Sequence, residues 1–535
     1  MVAIVAFAML FFRNATDNFI DPDMWHQMAL SRESLDRGSL VQEDLYAYTP
    51  TVTPVVHHEW GAGAVLYLLT HRFGTPGLLI LKYFLTGGIA LLCVLCARRR
   101  GTPYSVLFPL LPVAIFLSSG GLSTVRAQLF TMLMTAGLLY FLDLDRQGKR
   151  WWIGPWLILY VLWLNLHAGF VVGLIFLGLH IIEQFLRECV RSPGTVPISP
   201  GERLNTDAWL ARNSNSLLRN GDCPPLPGLL TRPPRRKPVA HLIAVELAML
   251  ALIAANPYRL AYYPYLWQAV LMDRPLITDW APIWHAWFVI GLMYLLSLIV
   301  VAYAIWKTGF KRIPGLILVL AAAYAAVRHQ RHLSIYAVAW TCYVPAALQA
   351  TTLCKLLTRA VTWKRPATLA LCLAIGLVSL TALIQHRPWH AYVPANKGDH
   401  PLLLYPVGAV AYLKGAGFHG NLMTPFTTGA FVSWHLYPNV KVSIDGRYEV
   451  AYAPELLQQH AAFYDNKSDP RQMLDKYPTD AVLVRRSCPV AKVLPNLDGW
   501  KRAYRDDVFE IYARASLNLP VLDRTGERLC TEPQW

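Results

Sequence analysis

Long apolar runs, interrupted at short intervals by basic or proline-containing segments, fill the first 385 positions of the chain. Each run is about 15 to 22 residues long, which is what a tilted or bundled helix needs to cross the hydrocarbon layer of a bilayer. The runs predict spans near residues 1–13, 77–97, 104–119, 127–143, 151–166, 168–187, 239–256, 288–306, 313–327, 333–353 and 366–385, about 11 in all. The first run holds about 12 apolar residues, roughly 18 Å of helix, so it is neither a signal peptide nor a complete anchor, and the true start is expected upstream. The stretch WGAGAVLYLLTHRF, residues 60–73, is short for a span and predicts a helix lying along the interface. Residues 189–238 are rich in Pro, Ser, Asn and Arg without a hydrophobic period, and predict a disordered cytoplasmic loop. From residue 386 the pattern changes. AVAYLKGAGFHGNLMTPF reads as a helix and a strand, VKVSIDGRYEV as a strand entering a turn, DAVLVRR as another strand and WKRAYRDDVFEIYAR as a closing hairpin. The expected fold class is an α-helical polytopic membrane protein: a transmembrane bundle over 1–385, its first outer loop at 13–76, and a small extracytoplasmic α/β domain over 386–535.

Composition removes the soluble alternatives. The 535 residues are 55% hydrophobic and only 15% charged, with a mean hydropathy of +0.33, values outside those of a soluble chain of this size. The net charge of +16 suggests a nucleic-acid partner only until its placement is seen. The basic residues cluster between apolar runs, in ARRRG (97–101), DRQGKR (145–150), RPPRRKP (232–238), KTGFKR (307–312) and LTRAVTWKRP (357–366). This is the positive-inside pattern, so charge reports topology in a cytoplasmic (inner) membrane, and no nucleic-acid partner is expected. If every run crosses, 60–73 does not, and the N-terminus is cytoplasmic, all these clusters fall inside. No phosphate-binding glycine loop, G-x-S-x-G elbow or H-E-x-x-H helix is present. Cys93 and Cys96 have redox spacing but lie within a span, where small core residues are the simpler reading.

The same parity gathers the unusual polar residues on the outer face: Asp21, Asp23, His26, His57, His58, Glu59, Arg126, His167, Arg259, Asp279, Arg328, His329, Arg331 and His332. Such groups are costly at a membrane unless they pair or meet water, so their concentration on one side implies one polar chamber. IDPDMWHQ, just after the first span, resembles the place where C-type membrane glycosyltransferases carry an acid or acidic pair. That multi-span group includes protein O-mannosyltransferases, lipid A aminoarabinose transferases and the catalytic subunit of oligosaccharyltransferase. The chain is similar in particular to a set of bacterial members, through DPDMWHQMA, YAYTPTVTPVVHHEW, VRAQLFTMLM, LWLNLHAGFVVG, NPYRLAYYP and GAFVSWHLYPNVKVSIDGR.

The resemblance implies transfer of a sugar from a polyprenyl-phosphate carrier to a glycan, lipid or protein acceptor at the outer membrane face. A carboxylate, Asp21 or Asp23, would take the acceptor's proton, and Arg126, Arg259, Arg328 and Arg331 would hold the departing phosphate. His26, His58, Glu59 and His167 join them as candidate substrate contacts. A divalent cation bridging acids and phosphate stays open as a cofactor. Other readings stand beside these. Asp21 or Asp23 can simply cap the helix that MWHQMALSRESL predicts; His167 can be a helix-end packing residue; Asp445 and Arg447 of IDGR can form a turn or local ion pair. A transporter or flippase for a lipid-linked sugar, or a noncatalytic assembly component, is the alternative function, although charge at one face and no duplicated halves favour an enzyme. Cys488 and Cys530 are the two cysteines the topology exports, and an oxidising compartment would permit them to pair.

Overall fold

A computed structural model describes residues 2–190, 239–272, 274, 276–349, 351–360 and 366–535. The loop expected to be disordered lies outside the described residues from 191 to 238. The apolar runs become helices close to their expected positions: α1 (Val2–Ala15), α3 (Trp60–Arg99), α4 (Tyr104–Leu122), α5 (Gln128–Arg146), α6 (Ile153–Leu166), α7 (Val171–Val190), α8 (Ala240–Leu252), α10 (Phe288–Thr308), α11 (Leu316–Arg328), α12 (Leu333–Ala347) and α14 (Pro366–His386), with a further short helix, α13 (Thr352–Ala360), where no separate run is expected. Helix α2 (Pro22–Arg37) lies in the loop between α1 and α3, and α9 (Tyr262–Leu271) precedes α10. Among the described residues, four helical segments are long and apolar enough to cross a bilayer: 60–99, 104–122, 168–187 and 288–308. A bent pair, 330–347 with 352–359, makes a fifth if counted as one span. Helices α6, α8 and α11 are apolar but shorter, so length alone does not fix the expected count.

The bundle is held by a continuous apolar core. Trp152, Trp156 and Trp163 stack along α6 and its entry against Leu138, Leu139 and Leu142 of α5 and Met249 of α8. Ile80, Phe84 and Ile158 point outward at 64%, 73% and 73% exposure, the inversion of the soluble pattern that a lipid-facing surface produces. Helix α3 is bent at Gly74, whose φ of 59° only glycine adopts readily. Pro76, two residues on, has no N–H to continue the ladder. The break separates 60–73 from the apolar run beyond it.

The tail folds into a six-stranded mixed sheet of order β2-β1-β3-β5-β4-β6, built from β1 (Gly420–Met423), β2 (Val440–Val442), β3 (Ala481–Arg485), β4 (Trp500–Arg505), β5 (Phe509–Arg514) and β6 (Leu522–Asp523). Strand β1 runs parallel to β2 and β3, whereas β5 is antiparallel to β3 and β4. Side chains alternate across the pleat. Ala481 and Leu483 face α15 (Val407–Gly415) and α16 (Gly429–Leu436), while Val482 and Val484 face α17 (Pro454–Tyr464) and α18 (Pro470–Lys476).

The loop between α1 and α3 is built into this domain. Met24, Trp25, Met28 and Leu30 of α2 share one core with Leu422, Leu483 and Ile511 of the sheet. Tyr48 N–H donates to Val442 (3.0 Å) and Val442 N–H to Tyr46 (2.9 Å), so residues 46–48 lengthen the sheet beyond β2. The expected pairing of Cys488 with Cys530 is not found: both thiols are free. Cys488 packs on the α17/α18 side of the sheet. Cys530 lies between Leu529, whose N–H donates to Asn396, and Thr531, which accepts from Val393 on the opposite side.

Candidate active site

The site is assembled by backbone pairing at the end of the bundle beneath the sheet. Ile20 forms a parallel bridge with Val125, and Phe19 with Tyr392, so Asp21 and Arg126, one residue further along each strand of the first bridge, come side by side. Lys82 of α3, buried, donates to Asn18 Oδ1 at 2.6 Å and to the Ser123 carbonyl, which ties the loop, the α4–α5 turn and α3 together. Asp21 then caps α2: its Oδ1 accepts from Asp23 N–H at 3.1 Å, with Pro22 opening the helix. The capping reading is therefore correct for Asp21. It does not exhaust the residue, because the other oxygen, Oδ2, lies 3.6 Å from Arg126 Nε. Arg126 Nη1 in turn donates to Asp279 at 3.0 Å.

Asp23 and Gln27 sit one turn apart on α2, on the face turned toward the start of α3. Gly63 permits that approach; a Cβ there would fall 2.4 Å from the Gln27 carbonyl. Glu59, just before α3, accepts from the Gln27 side-chain amide and lies 3.2 Å from His167 Nε2 and 3.7 Å from His58 Nε2. The tautomer of His167 follows from its other nitrogen. Nδ1 accepts from Gly169 N–H at 2.8 Å and meets Thr131 Oγ1 at 2.8 Å, while that hydroxyl oxygen accepts from Trp163 Nε1 at 2.9 Å. Nδ1 is thus an acceptor, Nε2 carries the proton, and His167 donates to Glu59. His58 Nδ1 is 2.8 Å from the Tyr265 hydroxyl.

Burial sets the charge states. Out of water, and with Asp23 adding repulsion, Asp21 is pushed up to about 6 although Arg126 pulls the other way. Glu59 is pushed further, to about 8, by burial and then by the Asp23 charge. For Arg126 burial opposes the charge, but Asp21, Asp279 and Asp23 overcome it and hold the guanidinium firmly protonated. Burial and the neighbouring Arg331 keep His167 neutral, well below the ordinary imidazole value. Arg331 is enclosed within reach of the charges of Asp23, Glu59 and Asp279, its guanidinium 5.0 Å from the Trp280 ring centre. Among the described residues that guanidinium makes no hydrogen bond or ion pair.

The candidates thus separate. Asp21, Asp23, His58, Glu59, Arg126, His167 and Arg331 come together, whereas Arg259 and Arg328 are exposed and not bonded to the cluster. Helix α11 ends at Arg328 and the turn that follows points Arg331, not Arg328, inward. His26 adjoins the cluster on the side of the domain, near Asp445 and within reach of the Asp21 charge, and burial lowers it to about 4 despite those acids. Asp445 and Arg447, read from the sequence as a turn or local pair, adjoin it. Arg447, 3% exposed, binds both oxygens of Asp445 at 2.8 and 3.0 Å, also Asp44 of the first loop, and the Tyr452 hydroxyl at 3.1 Å. The local pair expected in IDGR is present, but its reach to Asp44 has no signal in sequence, since 403 positions separate the partners. Gly446 of the same turn faces Asp23: a Cβ there would lie 3.6 Å from Asp23 Oδ1. As for a divalent cation, no three His, Cys, Asp or Glu side chains converge to hold one among the described residues. Asp21 is engaged by its cap and by Arg126, and no step is derived through a cation.

No protein-family model matches the chain, and no curated protein matches it. Solved structures do. The archaeal oligosaccharyltransferase AglB from Archaeoglobus fulgidus, solved with an inhibitory peptide and a dolichol-phosphate, aligns over 97% of this chain and 74% of its own, with 12% identity and a TM-score of 0.50. ArnT from Cupriavidus metallidurans, bound to undecaprenyl phosphate, aligns over 97% of this chain and 98% of its own, with 13% identity and a TM-score of 0.45. The likeness to AglB is one of fold.

Proposed function

We propose that the protein transfers a sugar from a polyprenyl-phosphate-linked donor to an acceptor at the outer face of the cytoplasmic membrane, with the α/β domain extracytoplasmic. The observation that carries this reading is Arg331, an enclosed guanidinium stacked on Trp280 whose donors are not taken by any acid among the described residues. A fork of N–H donors kept available beside a second arginine suits a phosphate. In the transfer, the acceptor's hydroxyl or amine attacks the anomeric carbon as the bond from that carbon to the phosphate oxygen breaks. The acceptor's proton passes to an acid of the first loop, and the lipid phosphate leaves against Arg331 and Arg126. Asp21, tuned to about 6, is ionised at neutral pH yet basic enough to accept that proton. A shallow groove of about 600 Å³ between Trp60, Ile158, Leu162, Asn165 and Asn256, beginning one residue after Glu59, suits an isoprenoid chain. AglB was solved with dolichol-phosphate, a ligand of this class.

Transfer from a polyprenyl-phosphate sugar, measured with the purified chain in bilayers, tests the assignment. Asp21→Asn or Asp23→Asn lowers the rate by roughly a hundredfold, the scale of a lost general base, while the variant protein stays folded. Full activity in both single variants and in the double variant removes these acids from the mechanism. Arg331→Ala weakens donor binding by roughly 10- to 100-fold, the loss of a charge-assisted hydrogen bond.

A further inference from the structure

The segment 257–288 has two faces. Toward the bundle, Tyr258 accepts from His57 N–H at 2.8 Å and Tyr265 meets His58 at 2.8 Å, Tyr262 and Leu266 are buried, and Asp279 and Trp280 close on Arg126 and Arg331. Away from it, Leu260 is 73% exposed, Trp267 72%, Trp284 70%, and Val270, Trp287 and Phe288 are open as well. On α9, buried 262 and 266 alternate with exposed 267 and 270 at helical spacing, so this short helix is amphipathic with an apolar outer face. A patch of large apolar side chains of this kind is not left to water without a partner.

We infer that this outer face lies in the interfacial layer of the bilayer, on the side of the membrane that carries the acids. The occupant follows from continuity at the C-terminal end of the segment: exposed Trp284 and Trp287 lead directly into Phe288, the first residue of α10, a helix long and apolar enough to span, and the start of a span fixes the depth of what adjoins it. Tryptophan is the residue that this layer selects, apolar in body with one N–H for the headgroups. Arg259, exposed at the start of the segment, sits where its guanidinium meets headgroup phosphates. The contact has a function at the site, because the backbone that presents Trp267 and Trp284 to lipid also carries Asp279 and Trp280. Lipid holds the segment down, and the segment holds Asp279 against Arg126.

The inference depends on the membrane setting and not on the reaction, so it stands or falls separately from sugar transfer. The test is photo-crosslinking of the full chain in phospholipid vesicles, with Leu260, Trp267 or Trp284 each replaced by benzoylphenylalanine and adducts read by mass spectrometry. Lys467, whose side chain is 73% exposed in the α/β domain, is replaced in the same way as the water-facing control. Lipid adducts at 260, 267 and 284 and none at 467 are the expected result. Absence of lipid adducts at all three sites, adducts to another protein in place of lipid, or equal labelling at 467 overturns the inference.

Discussion

Asp21 and Glu59 occupy one cluster but are tuned to opposite sides of neutrality, about 6 and about 8. At neutral pH the first is mostly ionised and the second mostly protonated, a separation that, under the proposed transfer, makes Asp21 the base and Glu59 its neutral partner. The rate of transfer is therefore expected to rise through about pH 6 as Asp21 loses its proton and to fall through about pH 8 as Glu59 gains a charge facing the donor phosphate. Arg126 holds Asp21 down, so Arg126→Gln moves the acidic limb to higher pH, which a pH–rate profile reads directly. Glu59→Gln keeps the neutral form permanently and is expected to retain activity at neutral pH while losing the alkaline limb; loss of activity at neutral pH would show that the carboxylate itself is needed. Stability carries the same signature. Both pKa values are raised, from 3.8 and 4.5, so the folded state binds the extra protons and stability falls as pH rises through each window. Thermal unfolding of Glu59→Gln should accordingly depend less on pH between 4.5 and about 8 than that of the parent.

Between elements, the joint that matters is the one between α2 and the sheet. Arg447 is the buried cation at that joint, shared by Asp44 and Asp445. Arg447→Met strands two carboxylates out of water, which costs roughly 3 to 5 kcal/mol. A lowered unfolding midpoint, together with new protease cuts between 38 and 58, is the expected result; unchanged stability would mean that the acids find protons or water instead. This joint also marks where sequence reasoning stopped. The helices of the bundle were legible because a membrane span announces itself by length and apolar character, and α4 at Tyr104–Leu122 falls where the apolar run 104–119 placed it. Helix α2 carries an N-cap signal in Asp21-Pro22 and was legible too. That Trp25 packs between Phe431, Trp434 and Trp535 was not, since no local pattern encodes a partner 400 positions away. Arg331 was separable from Arg328 only by the turn after α11, and Arg259 entered the candidate set on its side of the membrane alone.

At the scale of the whole molecule, topology is the claim that everything else leans on. A cysteine engineered at Ser468 should react with a membrane-impermeant reagent in intact cells, and labelling only after rupture would invert the assignment of the α/β domain. The pairing of the first loop with the last domain has a further consequence for how the protein is made. Asn18 bonds to Pro388, Ile20 to Tyr405 and Asp44 to Arg447, so the acids are brought into register by segments synthesised nearly 400 residues later. At about 5 to 20 residues per second that delay is roughly 20 to 80 seconds, during which α2 has left the ribosome without its sheet and the spans are already entering the bilayer. The candidate site is thus complete only at the end of synthesis, and a ribosome stalled anywhere before the sheet leaves a chain inserted in the membrane with these acids unassembled.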